Sequence, residues 1–216
     1  VDVMVKENAS DLHLAEGRPP VVRVGGFLIP LAKFAPLAKE DVSRMLAQMM
    51  PAPAQTEFAA AQEANFAWSS KDGRRFRCSA YTALGRTSVA LRLISKEVKT
   101  LEELGLPPIL RTFATKQQGF FLVVGPVGVG KSTTLAALIE TINQERLEHI
   151  ITIEDPVEYL FTPKKAMIDQ REVKMDTPDF HTALKGVFRQ DADIVMIGEM
   201  RDPETISTAV TAAETG

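Results

Sequence analysis

The chain changes its hydrophobic period along its length, and each change predicts a different kind of structure. Over residues 10–31, SDLHLAEGRPPVVRVGGFLIPL, short β-rich runs alternate with Gly and Pro, which predicts strands joined by tight turns. In KEDVSRMLAQMM, Val42, Met45, Leu46 and Met49 recur at helical spacing and predict a helix with one core-facing side. From Asn65 the period becomes two. NFAWSSKDGRRFRCSAY places Asp72-Gly73 between alternating runs, a hairpin signal, and TSVALRLI adds a strand. Residues 1–95 therefore read as a small α+β domain with Trp68 in its core.

Residues 96–117 are expected to form a linker. Thr100 and Glu103 have the spacing of a capping box, predicting a short helix that Gly105 and Pro107-Pro108 break. The grammar then changes over 118–216. GFFLVVG, a continuous apolar run, predicts a strand covered on both faces in a parallel sheet. Leu135, Leu138, Ile139 and Ile142 follow at helical spacing, then the run HIITIED and a helix carrying Phe180, Ala183, Leu184, Val187 and Phe188. DIVMIGE and a helix with Ile206, Ala209, Val210 and Ala213 complete the alternation. Alternating strands and helices predict an α/β core whose ligands bind at the carboxyl ends of the strands.

Composition narrows the partners. The 216 residues are 45% hydrophobic and 25% charged with a formal net charge of -3, so no basic excess points to a nucleic-acid partner. No run approaches the roughly 20 apolar residues of a membrane helix, so no transmembrane segment is expected. VDVMVKENASD lacks the apolar centre of a signal peptide, and a lone Cys78 allows neither an intramolecular disulfide nor a CxxC metal site. A cytoplasmic location is the expectation. Because the chain starts at Val1 and stops at Gly216 within the helical pattern AVTAAETG, it reads as a fragment.

The chemistry gathers around GPVGVGKSTT. Gly125, Gly130, Lys131 and Ser132 fit G-x-x-x-x-G-K-[ST], placed between an apolar run and an amphipathic helix as a phosphate-binding loop requires. Backbone amides from Gly128 to Ser132 can turn inward there, and the helix N-terminus adds partial positive charge. The expected binding residues are Gly125, Pro126, Val127, Gly128, Val129, Gly130, Lys131, Ser132 and Thr133. Lys131 would meet the β- and γ-phosphates, Ser132 a Mg²⁺ ion, and Thr133 the α-phosphate. A glycine-rich turn without a ligand is the plainer alternative.

Hydrolysis needs acids near that loop. TIEDPVEY ends its run with Glu154, Asp155 and Glu158, and Pro156 restrains Asp155 so that Glu158 is carried past the strand end, where a general base is plausible. Glu199 follows five residues without a charged side chain, with Gly198 just before it. Solvated acids at ordinary strand ends are the alternative for each. Positive charge is local: residues 71–92 hold Lys71, Arg74, Arg75, Arg77, Arg86 and Arg92 against Asp72. Period-two alternation puts Phe76 and Cys78 on one face and Arg75 and Arg77 on the other. Arg77 and Arg92 are the first candidates to approach the nucleotide, from the same subunit or a neighbour, against a solvated hairpin or a site for an acidic partner. His13, His149 and His181 show no metal-ligand spacing.

GPVGVGKSTT, IITIEDPVEY, QREV at Gln170 to Val173, DADIVMIGEMRD and AAETG, with ASDLHL, GRPP and LEELGLP before them, resemble the secretion ATPases of type II and type IV pilus systems. Among these the chain is most similar to pilus retraction ATPases (PilT-like). The resemblance implies a PAS-like α+β domain ahead of a RecA-like P-loop core. It further implies a homo-hexamer that hydrolyses ATP with Mg²⁺ to drive pilus retraction and twitching motility. Such a motor sits peripherally at the inner face of the cell membrane and works on a pilus platform protein of the inner membrane. By position Glu158 corresponds to the catalytic base and Glu199 to the Walker B acid and metal-side ligand, with Gly198 where many such proteins carry Asp. Assembly ATPases of the superfamily usually carry a tetracysteine motif, which one cysteine cannot supply. Val127 and Val129 replace the usual Thr and Ser, Ala192 replaces a common Pro, and the histidine box and C-terminal helical region would lie beyond Gly216. A non-hydrolysing paralogue and an assembly ATPase are the alternative functions.

Overall fold

The structure is a computed structural model that describes residues 1–95 and 97–215. Its contacts divide the chain into two units, Val1–Ile94 and Ser95–Gly216.

Six strands form one antiparallel sheet in the first unit: β1 (Asp11–Ala15), β2 (Val21–Val24), β3 (Phe27–Pro30), β4 (Glu63–Ser69), β5 (Arg75–Ala83) and β6 (Arg86–Leu93). They lie in the order β3-β2-β1-β6-β5-β4. The two-residue period decides which face is covered. Leu12, Leu14, Phe76, Cys78, Ala80, Val89 and Leu91 point into a core that also takes Met4 of helix α1 (Asp2–Lys6), Val42 and Leu46 of α2 (Lys39–Met49) and Ala54 of α3 (Ala52–Ala61). Trp68 packs at the edge of this core, its ring tilted against Phe76. Burial pushes the Cys78 thiol up to about 12, so it stays protonated and behaves as a small apolar side chain. On the opposite face Arg77 and Arg92 stand exposed, as alternation predicts. Ser70 to Arg74 form the β4–β5 turn around Gly73, whose φ of +76° is easily reached only without a Cβ.

The second unit is α/β. Strands β7 (His149–Glu154), β8 (Met167–Glu172) and β9 (Ile194–Ile197) form a parallel sheet in the order β8-β7-β9. Ile150 of the central β7 faces Leu138, Ile139 and Ile142 of helix α5 (Lys131–Glu145) together with Ala114 at the end of α4 (Ile109–Ala114). Ile151 and Ile153 contribute to a separate cluster with Ala183, Leu184 and Val187 of α6 (Phe180–Val187) and Ala209 of α7 (Pro203–Thr215). HIITIE is thus an apolar run buried on both sides because helices cover both faces of its sheet.

Two local expectations are corrected. GFFLVVG forms no strand: Phe120, Phe121, Leu122 and Val124 are exposed, and Phe121 stacks instead on Phe113 of α4 with ring centroids 4.5 Å apart. An apolar run supplies side chains for a strand, but its amides and carbonyls also need a neighbouring edge, and among the described residues β9 hydrogen-bonds only to β7. The short helix after Thr100 is a series of turns, although the expected box is present: Thr100 N donates to Glu103 Oε2 at 2.8 Å and Glu103 N to Thr100 Oγ1 at 3.1 Å. Gly105 at φ +64° ends it too soon for a helix. Within the stretch expected to be a linker, Leu101 and Ala114 are buried in the core beneath α5.

Candidate nucleotide-binding site

Helix α5 begins where glycine lets it. Gly130, its N-cap, has φ +97° and Gly128 has φ +84°, both in the left-handed region that side chains resist. These two residues curl the loop over the start of α5, whose first amides receive no side-chain cap. A helix end in that condition favours an anion. Lys131 Nζ donates to the carbonyls of Gly125 and Pro126, each at 2.9 Å, so its charge lies across the loop. Val127 and Val129 are exposed, which fits positions that lend only backbone. Ser132 is exposed as well, whereas the Thr133 hydroxyl stands 2.9 Å from that of Tyr159.

That last contact ties α5 to the acidic segment after β7. The segment opens with a cis Asp155-Pro156 bond and carries Glu158 exposed. Glu154, by contrast, is only 6% exposed, and three donors converge on its carboxyl group. Thr152 Oγ1 and Gln170 Nε2 donate to Oε1 at 2.6 and 3.2 Å, and the Glu158 amide donates to Oε2 at 3.3 Å. Burial pushes the Glu154 pKa up; these hydrogen bonds pull against it without cancelling it, and the nearby Glu158 charge adds to the rise.

Register brings the second acid to the same end of the sheet. Ile153 pairs with Ile197, and Gly198 N donates to Ile153 O at 2.8 Å, so the carboxyl ends of β7 and β9 lie side by side. The glycine at 198 has a packing reason. A Cβ there would sit 3.3 Å from Ile153 O and 3.4 Å from Glu154 Cα. Glu199 follows, half-buried and paired with Arg201 Nη2 at 2.8 Å. Ser132 and Glu199 offer the hard oxygens that Mg²⁺ prefers.

The candidate arginines belong to the first unit. Arg77 lies opposite Arg92, Arg92 opposite Asp11, and Asp11 opposite Arg23, making one row of charge across β5, β6, β1 and β2. Arg92 Nε donates to Asp11 Oδ1 at 2.7 Å. Burial raises the Asp11 pKa, but the hydrogen bonds and charge of Arg92, with Ser10, outweigh it and hold the group below its ordinary value. Among the described residues no group of three or more His, Cys, Asp or Glu could hold a metal ion, and no helix is long and apolar enough to cross a membrane. Sequence reasoning alone does not single out Tyr159 and Gln170 as parts of the candidate site. Their neighbouring motifs signal them, but neither carries a charge.

The profile of a family described as type II/IV secretion system protein matches residues 2–216. The type IV pilus retraction ATPase PilT of Pseudomonas aeruginosa is 40% identical over 211 residues, covering 98% of this chain and 61% of that protein. The type IV pilus ATPase PilU of the same organism is 42% identical over 214 residues, covering 99% and 56%. A crystal structure of the pilus retraction motor PilT with bound ADP superposes with a TM-score of 0.93 at 40% identity, over all of this chain and 63% of that one. The chain thus spans about three fifths of the length of these three relatives. With a matching profile over nearly its whole length, this chain belongs to the type II/IV secretion system protein family and is PilT-like within it.

Proposed function

We propose that this chain carries the nucleotide site of a motor ATPase that hydrolyses Mg-ATP to power type IV pilus retraction. The observation that carries the reading is the link between a glycine-curled loop at the start of α5 and the Glu158 segment, made through Thr133 and Tyr159. In this reading Ser95–Gly216 belongs to a RecA-like core and Val1–Ile94 is a PAS-like domain.

Amides of residues 125–133 bind the phosphates, and Lys131 leaves the carbonyls of Gly125 and Pro126 to meet the β- and γ-oxygens. Thr133 exchanges Tyr159 for the α-phosphate or shares its hydroxyl between them. Glu158, exposed on a backbone fixed to Glu154, takes the proton from the attacking water. Ser132 and Glu199 are the side chains that would hold a magnesium ion, which would neutralise phosphate charge when bound. Arg77 and Arg92 supply positive charge as the phosphoryl group transfers, from this subunit or a neighbour in a homo-hexamer. The assembly would act on a pilus platform protein at the cytoplasmic face of the inner membrane, as the resemblance to pilus retraction ATPases suggests.

A second reading, a pilus motor other than the retraction ATPase, draws on the 42% identity to PilU. Phosphate release by the full-length protein tests hydrolysis itself. Steady Mg-dependent release that Lys131→Ala and Glu158→Gln each abolish supports the proposal; no release from the wild type rejects it in favour of a non-hydrolysing paralogue. Retraction measured on piliated cells that lack the gene separates the two pilus readings.

A further inference from the structure

The segment 155–161 has little regular structure of its own, yet its backbone is held at several points by side chains from the two strands beneath it. Gln170 of β8 makes the most of these contacts. Its Nε2 donates to Tyr159 O at 2.7 Å and to Glu154 Oε1 at 3.2 Å, while its Oε1 accepts from the Phe161 amide at 3.0 Å. Two residues on, and so on the same face of β8, the buried Glu172 accepts from the Val157 amide through Oε2 at 3.2 Å. Glu154 closes the bracket by accepting from the Glu158 amide.

We propose that Gln170 and Glu154 are positioning residues for Glu158: joined to each other, they fix the amides and carbonyl on either side of it, so that its carboxylate projects from an ordered backbone toward the phosphate loop. This rests on the reading of Glu158 as the base. A flexible loop could carry a carboxylate equally well, but small displacements of a reacting group cost large factors in rate. Partial burial makes the bracket stiff, because a broken bond there would leave a polar group with little access to water. The same clamp sets the direction of Tyr159, whose carbonyl is held by Gln170 and whose hydroxyl meets Thr133.

The donor and acceptor pattern makes the pair testable by exchange. Every group facing the Glu154 carboxyl is a donor, so Glu154→Gln sets an amide N–H against another donor, and Gln170→Glu sets two carboxyl groups together. The double exchange restores one donor and one acceptor between the two positions and keeps acceptors for the amides of Glu158 and Phe161. It loses the bond to Tyr159 O and obliges the Thr152 hydroxyl to turn from donor to acceptor.

In the full-length protein, Glu154→Gln and Gln170→Glu should each lower kcat at least tenfold with ADP affinity within twofold of wild type. The double variant should recover most of that loss. Gln170→Met, which removes the clamp without adding charge, should lower kcat similarly and raise amide hydrogen exchange in 157–161 at least tenfold. Equal kcat in Gln170→Met and wild type, with Glu158→Gln inactive, would overturn the positioning role while leaving the proposed function standing. A double variant no better than its single parents, or unchanged exchange in Gln170→Met, also overturns it. A wild type without phosphate release, or an active Glu158→Gln, overturns the reading beneath it as well.

Discussion

The hydroxyl groups of Thr133 and Tyr159 meet at 2.9 Å, joining the first turn of the helix behind the phosphate loop to the segment that carries Glu158. Among the described residues no other side-chain hydrogen bond joins that first turn to this segment. Removing one partner leaves the other hydroxyl half-exposed and able to find water, so Tyr159→Phe should cost only about 1 kcal/mol in urea unfolding. If Thr133 turns to the α-phosphate on binding, the same variant should bind ADP no more weakly than wild type. Calorimetry reads this outcome, and a loss of affinity of tenfold or more would show that Tyr159 organises the loop instead.

Gly198 lies against the end of β7, where a Cβ would be a tight fit. A methyl group at 3.3 Å from Ile153 O and 3.4 Å from Glu154 Cα needs the end of β7 to give by a few tenths of an ångström. Gly198→Ala should therefore destabilise the protein by about 1 kcal/mol, measured by urea unfolding. Unchanged stability would mean that the strand ends yield more easily than their ladder implies.

Asp11 anchors the arginine row. Its carboxyl group is nearly buried and accepts from Arg92 Nε, with Arg23 Nε 3.7 Å away. Because its folded pKa lies below the unfolded 3.8, the stability it contributes is present above that value and is lost as pH falls through the folded pKa. Asp11→Asn should thus cost about 1.5 kcal/mol at pH 7, with the gap to wild type closing in acid below the unfolded pKa. Urea melts at neutral and acidic pH give the comparison; a gap that stays constant across them would contradict the assignment.

Much of this was legible in the sequence because the physics is local. The phosphate loop is written in glycines whose positive φ the fold requires at 128 and 130, and HIITIE announces a doubly covered strand by apolarity alone. Alternation from Phe76 to Ala80 sorts core from surface side chain by side chain. Other elements depend on partners that no periodicity records. β8, MIDQRE, is a strand because β7 offers it an edge, and its polar Gln170 and Glu172 are there to hold a loop. Helix α3, APAQTEFAAA, has no apolar stripe and stands on alanine propensity with Pro51 and Pro53 at its start. GFFLVVG fails in the opposite sense, having the side chains of a strand without a neighbouring edge.

The account depends most on a polyphosphate lying in the loop from Gly125 to Thr133, where Lys131 now spans the carbonyls of Gly125 and Pro126. Calorimetric titration of the protein with ADP and magnesium tests this directly, alongside Lys131→Ala. The wild type should bind one nucleotide per chain and the variant at least tenfold more weakly, with urea stability within about 0.5 kcal/mol of wild type because both carbonyls it releases remain exposed. No binding by the wild type at millimolar ADP, or equal binding by Lys131→Ala, would contradict it.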